Sequence, residues 1–372
     1  MRRALIWVQS LLGIGHLRRA TTIAEALLEE GFRVRLVNGG SGPAWPMPEG
    51  VEVIQLAPLR ADGPQFRRLL DGEGREADEE LWRARSEVLR AAAREFRPQV
   101  VIIEMFPFGR RAFRRELLPW LEELRGLGGG SPLVVCSVRD LLVSRARAVH
   151  ERVVETVRRF FDLVLVHADP ALVPFAASFP PARALADRIR YTGYVVARMP
   201  APAARREGVL VSAGGGAVGA RLLERAQQAR KHSRLNAEPW SFAAGPRGEA
   251  GVAHAHRAEV QRVFPDFAAR LASVRVSVSQ AGYNTVVEAL ACRTPMVLVP
   301  FGTAREDEQA RRARIMAGRG FAVHLEASEL TPQRLAAAID AAAEMRIAPR
   351  GIALDGARRT ARLLREAVDV LG

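Results

Sequence analysis

The stretch "VVARMPAPAARREG", residues 195–208, decides how the chain divides. Pro200 and Pro202 stand among small and charged residues, a composition that reads as a linker. Before it, short apolar runs alternate with amphipathic stretches: "ALIWVQ" (4–9), "RVRLVN" (33–38), "EVIQL" (52–56), "VVIIE" (100–104), "LVVCSV" (133–138) and "LVLVH" (163–167). Between them lie helical patterns such as 17–31, closed by Gly31, and 79–96, entered from the solvated run "EGREADEE" (73–80). After residue 208 the alternation restarts. Strands are expected at 209–213, 240–244, 274–279, 296–300 and 322–326. Helices are expected up to about 231, near 256–263, from 283, from about 305, from 332 and over 357–371. Near-continuous apolar strands separated by helices predict parallel sheets covered on both faces. The expected class is therefore α/β, with two Rossmann-like halves. Residues 1–195 form an N-terminal domain, 196–208 a linker, 209–355 a second domain, and 356–372 a last helix suited to packing back on the first domain.

A chain of 372 residues is long enough for two domains with separate cores. No apolar run reaches the length of a membrane span, and "ALIWVQSLLGIGH" lacks the cleavage site of a signal peptide. Cys136 and Cys292 lie in apolar contexts and read as buried free thiols, as expected of a cytoplasmic chain. The formal charge is +14 and Lys231 is the single lysine, so the basic charge is almost all arginine. Such usage often reflects genome composition. It also suits phosphorylated substrates and peripheral contact with an anionic membrane surface. With no recognisable nucleic-acid module and 6% aromatic residues, nucleic acid is not the expected partner.

Three turns carry the candidate chemistry. The first, "LLGIGHLRR" (11–19), follows the first strand. Gly13 and Gly15 begin a dinucleotide fingerprint, but Arg18 holds the third glycine position and the second strand ends "VNGG" without a ribose-binding acid. What remains is a turn presenting His16 at the carboxyl end of a parallel strand. A helix N-terminus keeps an imidazole neutral, so His16 reads as a general base or as a turn histidine. The second turn, "SAGGGAVGARLL" (212–223), exposes the amides of Gly214, Gly215 and Gly216 and suits an anion or a plain tight turn.

The third turn, "VSVSQAGYNTVVEAL" (276–290), is the most specific. Gly282 leaves the backbone bare where a diphosphate can approach a helix opening at Tyr283. Ser279 and Thr285 add hydroxyls, and Glu288 is placed to accept both hydroxyls of a ribose. Downstream, Glu308 and Gln309 enter another helix and suit sugar hydroxyls. The plainer alternative makes Glu288 a surface residue and "REDEQ" a helix-start acid run.

Together these residues resemble a family. A G-x-G-H loop after the first strand and S-x-A-G-x-x-T-x-x-E in the second half are similar to the GT-B glycosyltransferases. Within them the chain most resembles the glycosyltransferase 28 group, which includes the peptidoglycan N-acetylglucosaminyltransferase. "GIGHLRRA", "EMFPFGRR", "CSVRD", "YTGY", "VSAGGGAVG" and "SVSQAGYNT" resemble a bacterial group of predicted glycosyltransferases, over nearly the whole chain. The resemblance implies two Rossmann-like domains facing across a cleft. It also implies an inverting, metal-independent transfer from a nucleotide sugar, usually a UDP-sugar, with no cofactor beyond that co-substrate. On this pattern Glu288 binds the ribose. Ala281, Gly282, Tyr283, Asn284 and Thr285 form the diphosphate turn with Ser279, Gly214 to Gly216 face the donor, and Glu308 and Gln309 read the sugar. The family's peptidoglycan enzyme has glutamine where Glu308 stands, which leaves the sugar open.

His16 is the expected base, with Glu104 and Asp140 as further candidates because both close strands of the first half. Gly15, Arg18, Arg110 and Arg139 lie on the acceptor side, where the arginines suit an anionic or lipid-linked acceptor or form structural ion pairs. The loop G-x-G-H-x-x-R also resembles a nucleotide-sugar hydrolase of pseudaminic acid synthesis, in which the histidine activates water. A catalytically silent nucleotide-sugar sensor is the third reading.

Overall fold

The computed structural model describes residues 1–11, 13–40, 46–63, 68–127, 130–214, 219–245, 258–261, 264–301 and 307–371. The chain forms two compact units, one of Met1–Val195 with Asp355–Gly372, the other of Val196–Leu354.

The first unit runs β1 (Arg2–Val8), α1 (Gly15–Glu29), β2 (Phe32–Gly40), β3 (Val51–Ala61), β4 (Leu69–Leu70), α2 (Glu79–Phe96), β5 (Val100–Glu104), α3 (Arg114–Arg125), β6 (Leu133–Arg139), α4 (Arg147–Phe160), β7 (Leu163–His167) and β8 (Ile189–Tyr191). Its sheet has the order β4-β3-β2-β1-β5-β6-β7-β8 and is parallel except for the β3–β4 edge pair. The order reverses between β1 and β5, so their carboxyl ends diverge into the crevice where such sheets bind ligands. β1, β5 and β6 are buried over nearly their whole length, which is why they read as continuous apolar runs. α2 begins where Asp78 accepts from the Leu81 amide at 2.8 Å, a side-chain cap on the helix.

The second unit runs β9 (Val209–Ser212), α5 (Ala220–Arg230), β10 (Trp240–Ala243), β11 (Ala258–Gln261), α6 (Phe267–Ser273), β12 (Val276–Ser279), α7 (Tyr283–Ala291), β13 (Met296–Leu298), α8 (Glu308–Gly318), β14 (Ala322–His324) and α9 (Pro332–Ala343). Its six strands are all parallel, in the order β11-β10-β9-β12-β13-β14, with the reversal between β9 and β12. The final helix, α10 (Gly356–Leu371), belongs to the first unit. Its buried Ala357, Ala361, Leu364 and Val368 recur at helical spacing and join the core with Leu17, Ala20, Ala24 and Leu27 of α1. Arg2 closes the end of that contact on Asp369 at 2.7 Å.

Two local expectations are corrected. Within the stretch expected to be helical near 256–263, the described residues 258–261 form β11, parallel to β10. β3 extends to Ala61, beyond the short run 52–56. Among the described residues no helix is long and apolar enough to cross a membrane. Cys136 and Cys292 are buried free thiols.

Candidate active site

The first unit's switch point is occupied by charge. α1 opens at Gly15, so His16 and Arg19 lie one turn apart on one face of the helix. Glu104 ends β5, and its neighbour in register on β6 is Ser137. His16 Nδ1 lies 3.0 Å from Glu104 Oε1 and 3.3 Å from Arg19 Nη2. The Arg19 guanidinium donates to the same Glu104 oxygen. Ser137 Oγ donates to the other carboxylate oxygen, Oε2, at 2.6 Å. Glu104 and Arg19 are buried, whereas the His16 side chain keeps 16% of its surface exposed.

These contacts fix protonation. Burial pushes the Glu104 carboxyl up, but Arg19, His16 and Ser137 together hold it below the usual carboxylate range, so it is an anion. His16 is held well below 6.5, first by burial, then by Arg110 and Arg19, against the opposing pull of Glu104. A neutral imidazole beside a carboxylate donates from Nδ1 and leaves Nε2 as an acceptor. The neutrality read from the helix terminus thus has another main cause, desolvation with two guanidiniums close by.

The other first-unit candidates are dispersed around this pair. Arg110 has left-handed backbone, φ 56°, and its Nε donates to the Gln9 carbonyl at 2.7 Å. Asp140 is fully buried just past β6, and its Oδ1 accepts from the Leu141 amide at 2.8 Å. Arg139 is the last residue of β6, half-buried and level with His167 of β7. Arg18 is half-buried on α1, with its carbonyl accepting from Thr21 and Thr22 at 2.9 Å. The arginine that reaches Glu104 is the next residue, Arg19.

The second unit's switch point is built from backbone. β9 ends at Ser212 and the chain turns at Gly214, φ 71°. Gly215 and Gly216 lie outside the described residues. After β12, Ala281 takes φ 64°, unusual for a residue with a Cβ, and Gly282 then caps α7. The first helical bond of α7 is Val286 N–H to the Gly282 carbonyl at 3.1 Å, so the amides of Tyr283, Asn284 and Thr285 precede the helical ladder. Among the described residues, none lies within 4 Å of a Cβ built on Gly282, at the start of this helix. A Cβ on Gly214 would lie 3.4 Å from Gln280 Oε1, which brings the two turns together.

Ser279 is buried, and its hydroxyl has no hydrogen-bond partner among the described residues. Glu288 is 2% exposed and so is not the surface residue of the plainer reading. Gln309 Oε1 accepts from the Phe301 amide at 3.0 Å, and Glu308 opens α8. Arg312, one turn on, is fully buried and donates to the Ala281 carbonyl at 2.9 Å. Among the described residues no three His, Cys, Asp or Glu side chains converge as metal ligands.

Residues 215–353 match the glycosyltransferase family 28 C-terminal domain. The chain resembles the glycosyltransferase 28 group. Its curated relatives include bacterial UDP-N-acetylglucosamine–N-acetylmuramyl-(pentapeptide) pyrophosphoryl-undecaprenol N-acetylglucosamine transferases. That of Methylibium petroleiphilum is 35% identical over 206 residues, 47% of this chain and 55% of the relative. That of Methylobacterium sp. strain 4-46 is 32% identical over 182 residues, 43% of this chain and 48% of the relative. The chain thus spans about half the length of these relatives, and 23% of that from Nitrobacter hamburgensis, at 40% identity over 86 residues and 23% of this chain.

The crystal structure of Acinetobacter baumannii MurG superposes with a TM-score of 0.59 at 15% identity, covering 98% of this chain and 100% of that one. The calicheamicin glycosyltransferase CalG4 gives 0.57 at 18% identity, covering 100% and 95%. At these identities the likeness shows the fold, GT-B.

Sequence reading passed over Arg19, Ser137, His167, Thr192 and Arg312. Arg19 carried a signal, its spacing of three from His16 on a helix. Ser137 and His167 sit on separate strands and meet through register alone. Arg312 shares the face of α8 that carries Glu308 and Gln309, one turn along.

Proposed function

We propose that the chain is an inverting, metal-independent glycosyltransferase that moves a sugar from a nucleotide-sugar donor, a UDP-sugar, to an acceptor hydroxyl. The observation that carries this reading is the His16–Glu104 pair at the first sheet's switch point, a neutral imidazole whose Nδ1 side is held by a buried carboxylate. His16 Nε2 takes the acceptor proton as the acceptor oxygen bonds to the anomeric carbon. The bond from that carbon to the diphosphate oxygen breaks, and its electron pair leaves with the diphosphate. Glu104 positions the imidazole and stabilises the imidazolium that forms. The second unit holds the donor. The start of α7 at Gly282, Tyr283, Asn284 and Thr285 meets the diphosphate, where amides and the helix dipole stabilise the leaving charge without a metal. Glu288 takes the ribose, and Glu308 with Gln309 the sugar.

The relatives' names supply the donor class, a UDP-linked sugar, and a lipid-linked acceptor. The net charge of +14 and the arginines near His16 suit an acceptor carrying phosphate, met at the inner face of a membrane by peripheral contact. The test is calorimetry with a panel of UDP-, dTDP- and GDP-sugars, followed by nucleotide release with and without muramyl-pentapeptide diphospho-undecaprenol. Release that requires the acceptor supports transfer. Equal release into water supports the hydrolase, and binding without release a sensor; either contradicts the proposal.

A further inference from the structure

Behind Glu104 lies a row of three buried side chains, Ser137 on β6, His167 at the end of β7 and Thr192 just past β8. Ser137 Oγ is 2.6 Å from Glu104 Oε2 and 2.9 Å from His167 Nε2. His167 Nδ1 is 2.8 Å from Thr192 Oγ1. Register makes the row. In β7 the residue level with Ser137 is Leu165, and His167, two residues on, points to the same face of the sheet.

The hydrogens in this row have one consistent arrangement. Glu104 is an anion held by Arg19 and has no proton to give, so the Ser137 hydroxyl donates to it. The serine oxygen then accepts from His167 Nε2–H. Burial pushes His167 down to about 3, so it is neutral and its Nδ1 accepts from the Thr192 hydroxyl. The Thr192 oxygen also lies 3.1 Å from the Gly193 carbonyl, but its one proton serves the nearer contact, the bare His167 Nδ1 at 2.8 Å, and the donors of the row then point toward the carboxylate. A row polarised this way carries no proton away from Glu104, so it holds the carboxylate in place and does not shuttle.

We propose that Ser137 is a positioning residue, kept in its donor orientation by His167 and Thr192. It occupies Glu104 Oε2, leaves Oε1 to face α1, and so fixes His16 as the Nδ1–H tautomer with Nε2 open to the acceptor. The proposal rests on His16 being the base. The charged groups facing His16 are Glu104 from β5, Arg110 from the turn after β5 and Arg19 from α1 itself. Without Ser137 the Glu104 carboxylate is no longer held in one orientation, so Nδ1 loses its fixed acceptor, and the carboxylate's unshared charge raises the imidazole's affinity for a proton.

The experiment uses the full-length chain with 15N-labelled histidine. The parent protein is expected to show His16 protonated at Nδ1. In Ser137→Ala the His16 resonances are expected to move toward a mixture of tautomers. kcat for UDP release falls about tenfold or more, the acid limb of its pH profile moves to higher pH, and the donor KM is unchanged. His167→Leu is expected to match Ser137→Ala. His167→Gln, whose amide can donate to Ser137 and accept from Thr192, is expected to restore parent behaviour. If Ser137→Ala does not fold, Ser137→Cys, a weaker donor, is expected to give an intermediate shift. Unchanged His16 resonances and acid limb in folded Ser137→Ala or Ser137→Cys would overturn the proposal. Full turnover by His16→Ala would instead remove the base assignment, while the resonances would still decide whether Ser137 fixes the tautomer.

Discussion

At the switch point of the first sheet the working groups are side chains: a histidine, a carboxylate, a guanidinium and a serine, most of them buried and each paired. At the switch point of the second sheet they are backbone: a glycine in the left-handed region, an alanine that shares it, and the start of α7 at Gly282. The strand order at the two reversals is the same, apart from the edge strand β4 and the outer β8. One topology therefore hosts a site of ionisable side chains and a site of backbone, which the proposed reaction uses to move a proton and to bind the diphosphate. On that proposal the first depends on which groups are ionised, the second on where the amides lie.

Four measurements bear on that contrast. The largest effect is expected from Glu104→Gln, which leaves Arg19 buried without its anion and offers His16 an amide in place of a carboxylate. kcat should fall by roughly 10²–10⁴-fold and stability by about 3–5 kcal/mol, read from single-turnover UDP release and urea unfolding. Parent-like kinetics would make the side-chain site an ordinary ion pair.

Next comes acid sensitivity. His167 is held down to about 3 by burial against an ordinary 6.5, so below 6.5 the unfolded chain binds a proton that the folded chain refuses. Stability is therefore lost as pH falls, by about 1.4 kcal/mol per pH unit for that one group. His16, also held below 6.5, acts in the same direction, and Glu104 adds to the loss below its ordinary 4.5. Urea midpoints at pH 7, 6 and 5 should fall steadily, and His167→Gln should flatten the slope by the share of one proton.

The backbone site is probed by Gly282→Val. With φ −62° and no atom of the described residues within 4 Å of a built Cβ, the fold should tolerate it at a cost of about 1 kcal/mol for the weaker N-cap. Calorimetric affinity for UDP should nevertheless drop about tenfold or more, because the side chain fills the approach to the helix start. Unchanged UDP affinity would move the diphosphate elsewhere. The smallest effect is expected from Ala281→Gly, which relieves a left-handed alanine and should raise stability by about 0.5–1 kcal/mol in thermal unfolding.

Much of the fold was legible because its signals are local. "VVIIE" and "LVLVH" are β5 and β7 end to end, since buried parallel strands leave uninterrupted apolar runs. β11 was read as helix because its four described residues, Ala258–Gln261, alternate too briefly to declare a period and follow a stretch rich in alanine and histidine. The site divides in the same way. His16, Glu104, Gly282 and Glu288 follow from position at strand ends and helix starts. Ser137, His167 and Thr192 lie 30 and 25 residues apart along the chain and become neighbours only when three strands settle into register. A buried hydrogen-bond row of this kind has no sequence period.

The central claim is that His16 Nε2 takes the acceptor proton, and His16→Ala tests it most directly. Single-turnover UDP release should be measured with saturating UDP-sugar and acceptor, with UDP affinity checked by calorimetry on the same preparation. The predicted result is a loss of about 10²–10⁴-fold in rate with UDP affinity unchanged, because the proposal assigns the donor to the second unit. Parent-level release by folded His16→Ala would contradict the account.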